Sequence, residues 1–397
     1  MKLINFVLFL LFVQSLFAQT DSIRMFMFGH SLVNYESNLT TNNEGAIAHW
    51  VYKFAAHDDQ YFAATGQFGF LPQHANLPPT SQWGFAEVPT VWESDYEPFS
   101  AANFNQVLIT AANFAQWQSS NQDYPTEPGI SPLSATQTII DWINDEEENV
   151  AFYIYENWPD MAPYLNGDFP PSQTQFDAYN TYTQGEFHDW WIEYQDFLMQ
   201  SHEASNVRMI PVGPIIARIH EQLLANQIPL DELYEDDAPH GRSSTYFLAS
   251  MITYMAIFEK PVRADFDIPR SIHPAIANQF ENIIAFIFNE LLNFNFQNGD
   301  NRVFQNNPST SNFDPTDNKS PQISVFPNPT FGSLQIKVTS NCQLSIIDLF
   351  GKPIFVKILN SNSSLNIDIS NWSAGTYLLK YQNLQSGEIQ IEKILKY

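Results

Sequence analysis

The chain has 397 residues, which fits two domains better than one. Acidic residues outnumber basic ones 43 to 17, and a formal net charge of −26 argues against nucleic acid and polyanionic polymers as partners. One cysteine, Cys342, excludes an intramolecular disulfide and any cysteine-based metal site.

In chain order, Met1-Lys2-Leu3 opens on a basic residue, an apolar run follows from Val7 to Val13, and Ser15-Leu16-Phe17-Ala18 ends on a small residue. These are the marks of a secretory signal peptide over residues 1–18. Gln14 ends the apolar run well short of the ~20 residues that cross a bilayer, so the mature chain is expected to carry no transmembrane segment.

Residues 19–295 alternate strand and helix patterns. Strands are predicted to end at Phe28, Thr65, Ala112, Glu156 and Gly213, and helices to cover 136–147, 177–199, 243–258 and 274–294. Such alternation predicts a parallel sheet covered on both faces. The Pro- and aromatic-rich stretch 68–104 reads as a long loop. Residues 296–322 are dominated by Asn, Gln, Ser, Thr, Pro and Asp, a composition that reads as a polar linker. From 323 to 397, period-two runs such as Ser333-Leu334-Gln335-Ile336-Lys337-Val338 predict a small all-β sandwich. That end carries six lysines and four acidic residues, so the acidic excess belongs to the rest of the chain.

The residues that promise chemistry stand at strand ends. Gly29-His30-Ser31-Leu32 follows the apolar run Met25-Phe26-Met27-Phe28, and Asp237-Ala238-Pro239-His240 lies far downstream. A serine nucleophile needs a base, and the base needs an orienting group. Ser31, His240 and an acid of the run Glu235-Asp236-Asp237 supply all three. Thr65-Gly66-Gln67 follows a second apolar stretch, and Ala111-Ala112-Asn113 a third. Glu156 and Trp158 follow the fourth strand, at the edge where open α/β sheets hold ligands.

Together these blocks resemble the SGNH (GDSL-type) hydrolases, over about residues 20 to 295. The resemblance implies a flavodoxin-like three-layer α/β fold and a serine esterase working through an acyl-enzyme. It assigns Ser31 as nucleophile, His240 as base and Asp237, three residues before the histidine, as orienting acid. The Ser31 amide, the Gly66 amide and the Asn113 side chain become the oxyanion donors. The sequence departs from the family pattern where His30 replaces the aspartate of the first block and where Ala111-Ala112-Asn113-Phe114 replaces Gly-x-Asn-Asp. His30, Glu156 and Trp158 are expected near substrate. No metal and no cofactor are expected.

Val325-Phe326-Pro327-Asn328-Pro329, Ile347-Asp348-Leu349-Phe350-Gly351-Lys352, Ala374-Gly375-Thr376-Tyr377 and the terminal Lys393-Ile394-Leu395-Lys396-Tyr397 resemble the type A C-terminal sorting domain of the type IX secretion system. That resemblance implies outer-membrane secretion machinery as a partner and a secreted or surface-attached bacterial protein. The expected substrate is a carboxylic ester, in the first place an O-acetyl ester on a neutral glycan. A lipid or aryl ester, or glycan binding without catalysis, are the alternatives.

Overall fold

Apolar side chains at every position of Arg24-Met25-Phe26-Met27-Phe28 after the first demand burial on both sides of a strand, and this is how they are used. In the computed structural model, Met25 and Met27 face one hydrophobic cluster while Phe26 and Phe28 face another. The structure describes residues 22–35, 46–111, 118–305 (except 166, 168, 203, 204 and 226) and 323–396 (except 327–329, 331, 339, 348–351, 362, 374 and 385–388). The predicted signal peptide lies outside the described residues.

The chain divides into two units, 1–309 and 310–397. The first is built on strands β1 (Ser22–Gly29), β2 (Tyr61–Phe68), β3 (Gln106–Ile109), β4 (Ala151–Glu156) and β5 (Asn206–Pro211). All pair in parallel, in the order β2-β1-β3-β4-β5. This is the flavodoxin-like order, and the chain reverses its winding between β1 and β3.

Helices α1 (Ile47–His57), α6 (Val212–Gln222), α7 (Ser243–Phe258) and α9 (Phe280–Asn293) cover one face. Helices α3 (Pro132–Glu146) and α5 (Glu186–Ser201) cover the other, with the short α2 (Leu71–His74) beside them. The remaining helices are α4 (Gln173–Gln184) and α8 (Pro274–Asn278). Helix α7 is buried all round, from Ser244 to Phe258, so it forms the centre of its layer. Each such large apolar side chain contributes roughly 1.5–3 kcal/mol by leaving water.

The predicted helix over 177–199 is two helices that meet at Gly185, whose ψ of −112° leaves the helical region. The one over 274–294 breaks at Gln279. The stretch 68–104 is mostly irregular, as expected, with α2 and one short 3-10 turn over Phe99–Ala102.

The first unit also runs past the predicted boundary at 295. Val303 and Phe304 are buried, Arg302 is 5 % exposed, and the Arg302 carbonyl accepts from Met209 N at 3.0 Å. Composition marks this stretch as polar, but its few apolar groups fill a gap against α5, β5 and α9.

The second unit has an antiparallel sheet β10-β7-β6 and another β12-β11-β8-β9, formed by β6 (Ile323–Phe326), β7 (Ser333–Val338), β8 (Cys342–Ile347), β9 (Pro353–Leu359), β10 (Ser363–Asp368), β11 (Gly375–Asn383) and β12 (Ile389–Lys396). Alternate residues such as Leu334, Ile336, Leu344, Ile346, Leu379 and Tyr381 make one shared core.

Candidate active site

Strand β1 ends at the point where the sheet reverses its winding, and Ser31 stands two residues beyond that end. Gly29 makes the exit tight: a Cβ there would lie 3.0 Å from Val33 Cγ2 and 3.2 Å from Trp83 Cζ3. Residues 30–33 then close a turn through Val33 N to His30 O at 2.9 Å. The turn is tied down from α7, where the Tyr246 hydroxyl donates to Ser31 O at 2.9 Å.

His240 arrives on a narrow hairpin before α7. Tyr234 and Gly241 pair antiparallel, Glu235 N donates to His240 O at 2.8 Å, and Arg242 N donates to Leu233 O at 2.8 Å. The segment after β4 clamps this hairpin. Trp158 Nε1 donates to Pro239 O at 2.8 Å, and Met161 N and Ala162 N donate to Asp237 O at 3.1 and 3.2 Å.

The ring of His240 links Ser31 to an acid. Nε2 lies 2.9 Å from Ser31 Oγ, and Nδ1 lies 2.7 Å from Asp236 Oδ2. A carboxylate only accepts, so Nδ1 carries the proton and the bare Nε2 accepts from the serine hydroxyl. Asp236 Oδ1 also accepts from Ala238 N at 3.2 Å and His240 N at 3.0 Å. One carboxylate therefore shapes the loop and orients the ring.

The sequence reading placed that acid at Asp237. The structure corrects it by one residue: Asp237 is exposed, and only its backbone carbonyl is engaged, toward Met161 and Ala162. The hairpin folds the i−4 side chain back over the ring and turns the i−3 side chain outward.

The sequence did not single out Tyr35, yet its ring stacks on His240 with centroids 3.9 Å apart and planes 16° apart. Burial, Glu235 and Asp236 all push its phenol up from the usual range, so it stays neutral. An aromatic residue shortly after the serine is the sole signal for it, and that signal is weak.

Other expected site residues have different positions. Gly66 sits inside β2, not after it, and its amide donates to Trp83 O at 3.0 Å, so it has no donor to offer an oxyanion. A glycine is needed there for packing, since a Cβ would lie 2.6 Å from Met27 O. Asn113 lies outside the described residues.

His30 is 2 % exposed and reaches no substrate space. Its Nδ1 accepts from Leu32 N at 3.3 Å, so Nε2 carries the proton toward Ala111 O at 3.2 Å. Burial lowers its pKa to about 4, and the neutral ring ties the end of β1 to the end of β3. Glu156 is fully buried and pairs with His188 Nδ1 at 2.8 Å, with burial raising its pKa. Trp158 is 1 % exposed and supports the hairpin. Both stand at the expected sheet edge, but their side chains point into the protein and cannot line a substrate. Among the described residues, no three His, Cys, Asp or Glu side chains converge as a metal site would require.

Fold and geometry thus define a three-layer α/β protein of a topology compatible with hydrolases, bearing a linked serine, histidine and aspartate at its switch point. The tail is defined separately. Residues 324–396 match the family model of the secretion system C-terminal sorting domain, so a sorting domain is present and the protein is secreted or attached to the cell surface. Among the described residues, no helix is long and apolar enough to cross a membrane.

Among solved structures, the chain shows 14% identity to PorZ, a surface component of the type-IX secretion system of Porphyromonas gingivalis, over 19% of this chain and 11% of PorZ, with a TM-score of 0.17. It shows 8% identity to an endo-beta-1,4-mannanase from Thermotoga petrophila, covering 74% of this chain and 91% of that one, with a TM-score of 0.20. An engineered protein gives 10% identity over 93% and 92% of the two chains, with a TM-score of 0.21. The chain spans about a tenth of PorZ, and scores this low support no inference about fold or function. No curated protein matches the chain.

Proposed function

We propose that the α/β unit is an SGNH-type serine hydrolase of carboxylic esters, exported by the machinery that reads its tail. The observation that carries this reading is the continuous link from Ser31 Oγ through His240 to Asp236, at 2.9 and 2.7 Å. In the reaction, Ser31 Oγ attacks the acyl carbon as Nε2 takes its proton. The tetrahedral intermediate collapses, and Nε2 returns that proton to the leaving alcohol. Water, deprotonated by the same nitrogen, then attacks the acyl carbon, and the second tetrahedral intermediate collapses by breaking the bond to Ser31 Oγ, which takes the proton back from Nε2 as the acid leaves. Asp236 holds the Nδ1 proton throughout and stabilises the imidazolium.

For the oxyanion we assign the Ser31 amide, with Asn113 as a second donor. The best substrate is an O-acetyl ester on a neutral glycan. The hairpin that carries the base also bears Glu235, Asp236 and Asp237, and no Lys or Arg occurs between residues 53 and 208, so an anionic substrate meets like charge. The test is release of 4-nitrophenol from a short-chain ester by the full chain and by Ser31→Ala. The variant should melt normally and lose about 10⁴-fold or more in turnover, since linked residues of this type act as a unit. Near-normal turnover by the variant removes Ser31 from the reaction.

A further inference from the structure

Ser31 and Tyr35 belong to the same stretch of chain after β1, and both reach His240. Ser31 Oγ meets the edge of the imidazole, 2.9 Å from Nε2. The Tyr35 ring lies on its face, with centroids 3.9 Å apart and planes 16° apart. Asp236 takes the other edge, at Nδ1. Two hydrogen bonds in the ring plane aim the imidazole but leave it able to tilt about the line joining its nitrogens. A parallel ring in contact with the face stops that tilt and keeps the Nε2 lone pair on the serine hydroxyl.

The chain that presents Tyr35 is itself held. Asn34 N donates to His30 O at 3.3 Å, Ile47 N donates to Val33 O at 3.2 Å, and Ala46 N donates to Asn34 Oδ1 at 3.3 Å, which ties the turn to the start of α1. The Tyr35 ring also packs against the hydrophobic cluster on that side of the sheet. Its contact with His240 gains strength during the reaction. The imidazole is neutral before the attack and becomes an imidazolium as it takes the serine proton. The face of a phenol ring attracts a cation more strongly than a neutral group. An interaction that grows toward the transition state raises kcat, whereas one that is equal in both states does not.

We propose that Tyr35 is a positioning residue of the reaction, whose ring fixes the tilt of His240 and stabilises the imidazolium that forms on it. This rests on the ester-hydrolase reading of Ser31 and His240. The Tyr35 hydroxyl engages the Glu235 carboxylate, so the ring face, not the hydroxyl, acts on the base.

The test is steady-state hydrolysis of 4-nitrophenyl acetate by the full chain with Tyr35 replaced. Acylation and deacylation pass through the same imidazolium, so kcat reports the contact whichever step limits. Tyr35→Leu and Tyr35→Met keep an apolar body without a ring. In both, kcat should fall about five- to tenfold while KM stays within about twofold. Tyr35→Phe keeps the ring without the hydroxyl, and its kcat should stay within about twofold of the wild type.

A second arm needs no turnover. Nuclear magnetic resonance of isotope-labelled histidine reads the His240 Hε1 proton, which a ring stacked on the imidazole face shields. That resonance should move downfield in Tyr35→Leu and return in Tyr35→Phe. The resonances of His57 and His202, which pair with Asp265 and Asp141 on other parts of the unit, should stay in place. The proposal is overturned by an unchanged kcat in both ringless variants, by a rise in KM with kcat kept, or by a loss in Tyr35→Phe equal to that in Tyr35→Leu. A His240 resonance that does not move, or one that moves together with those of His57 and His202, also overturns it. If the wild type hydrolyses no ester, the hydrolase reading fails, while the resonance still decides whether Tyr35 holds the face of His240.

Discussion

Replacing Asp236 with asparagine isolates the electrostatic part of the Ser31–His240–Asp236 link. The carboxylate has three tasks: Oδ1 accepts from Ala238 N and His240 N at 3.2 and 3.0 Å, and Oδ2 holds Nδ1 at 2.7 Å. An asparagine that keeps its oxygen on the two amides presents its NH₂ group to Nδ1. Two donors cannot share that contact, so the ring gives up the Nδ1 proton and carries one on Nε2 instead. Nε2 then faces Ser31 Oγ as a donor and cannot take its proton. The same fault in buried serine triads costs about 10⁴-fold in kcat. The Asp236 side chain is 38% exposed, and water can replace part of its field, so we expect a loss of about 10²–10³-fold, or about 3–4 kcal/mol of transition-state stabilisation. The loop survives because both amide contacts survive. Asp237→Asn is the matched control: its side chain is exposed and only its carbonyl is engaged, so turnover should stay within about twofold, the usual range for an isolated surface change. Steady-state kinetics on a short-chain ester, with melting curves for both variants, decides. If Asp237→Asn is crippled and Asp236→Asn is not, the assignment of the orienting acid is wrong.

Three further outcomes follow from the same structure. His30, His74 and His220 are each lowered by burial from 6.5 to about 4, so between these values the unfolded chain binds more protons than the folded one. Stability of the α/β unit therefore falls as pH drops from 6.5 toward 4, by up to about 3 kcal/mol per histidine, and a rising Tm on acidification would refute this. Gly66→Ala forces a Cβ to 2.6 Å from Met27 O, and the strands must part, so calorimetry should show a loss of about 3 kcal/mol; a pure fall in kcat with an unchanged melt would restore Gly66 as an oxyanion donor. A chain ending at 309 should melt like the α/β unit of the full protein, whereas one ending at 295 loses the buried Val303 and Phe304 and about 4 kcal/mol; identical melts would return the boundary to 295.

The tail and the class of the first unit are legible residue by residue. Period-two alternation in Ser333–Val338 and double-sided apolarity in Met25–Phe28 follow from strand geometry alone, because side-chain direction along a strand repeats locally. The strand end, the glycine and the serine that follows it are likewise neighbours in sequence. Helices α1 and α6 are less legible. Helix α6 starts directly from β5 at Val212, with no residue between to mark the change.

What the sequence by itself determined is therefore local: the order of strands and helices, the separate β tail, Ser31 at the end of β1, and His240 with an acid close before it. Only the tertiary structure decided which acid. Asp236 and Asp237 are equivalent by residue type, and the choice depends on how the hairpin is held, by Trp158, Met161 and Ala162 from more than 70 positions away. The same limit applies to Gly66. Pairing with Gly29 extends β2 to Phe68, and Trp83 takes the Gly66 amide. It applies again to Glu156 and Trp158, which share the correct sheet edge yet turn inward to His188 and Pro239. Periodicity assigns a residue to a face or an end. The direction of a side chain beyond the last pleat, and the partner that claims its hydrogen bonds, depend on contacts between segments remote in sequence, and these form only when the layers pack.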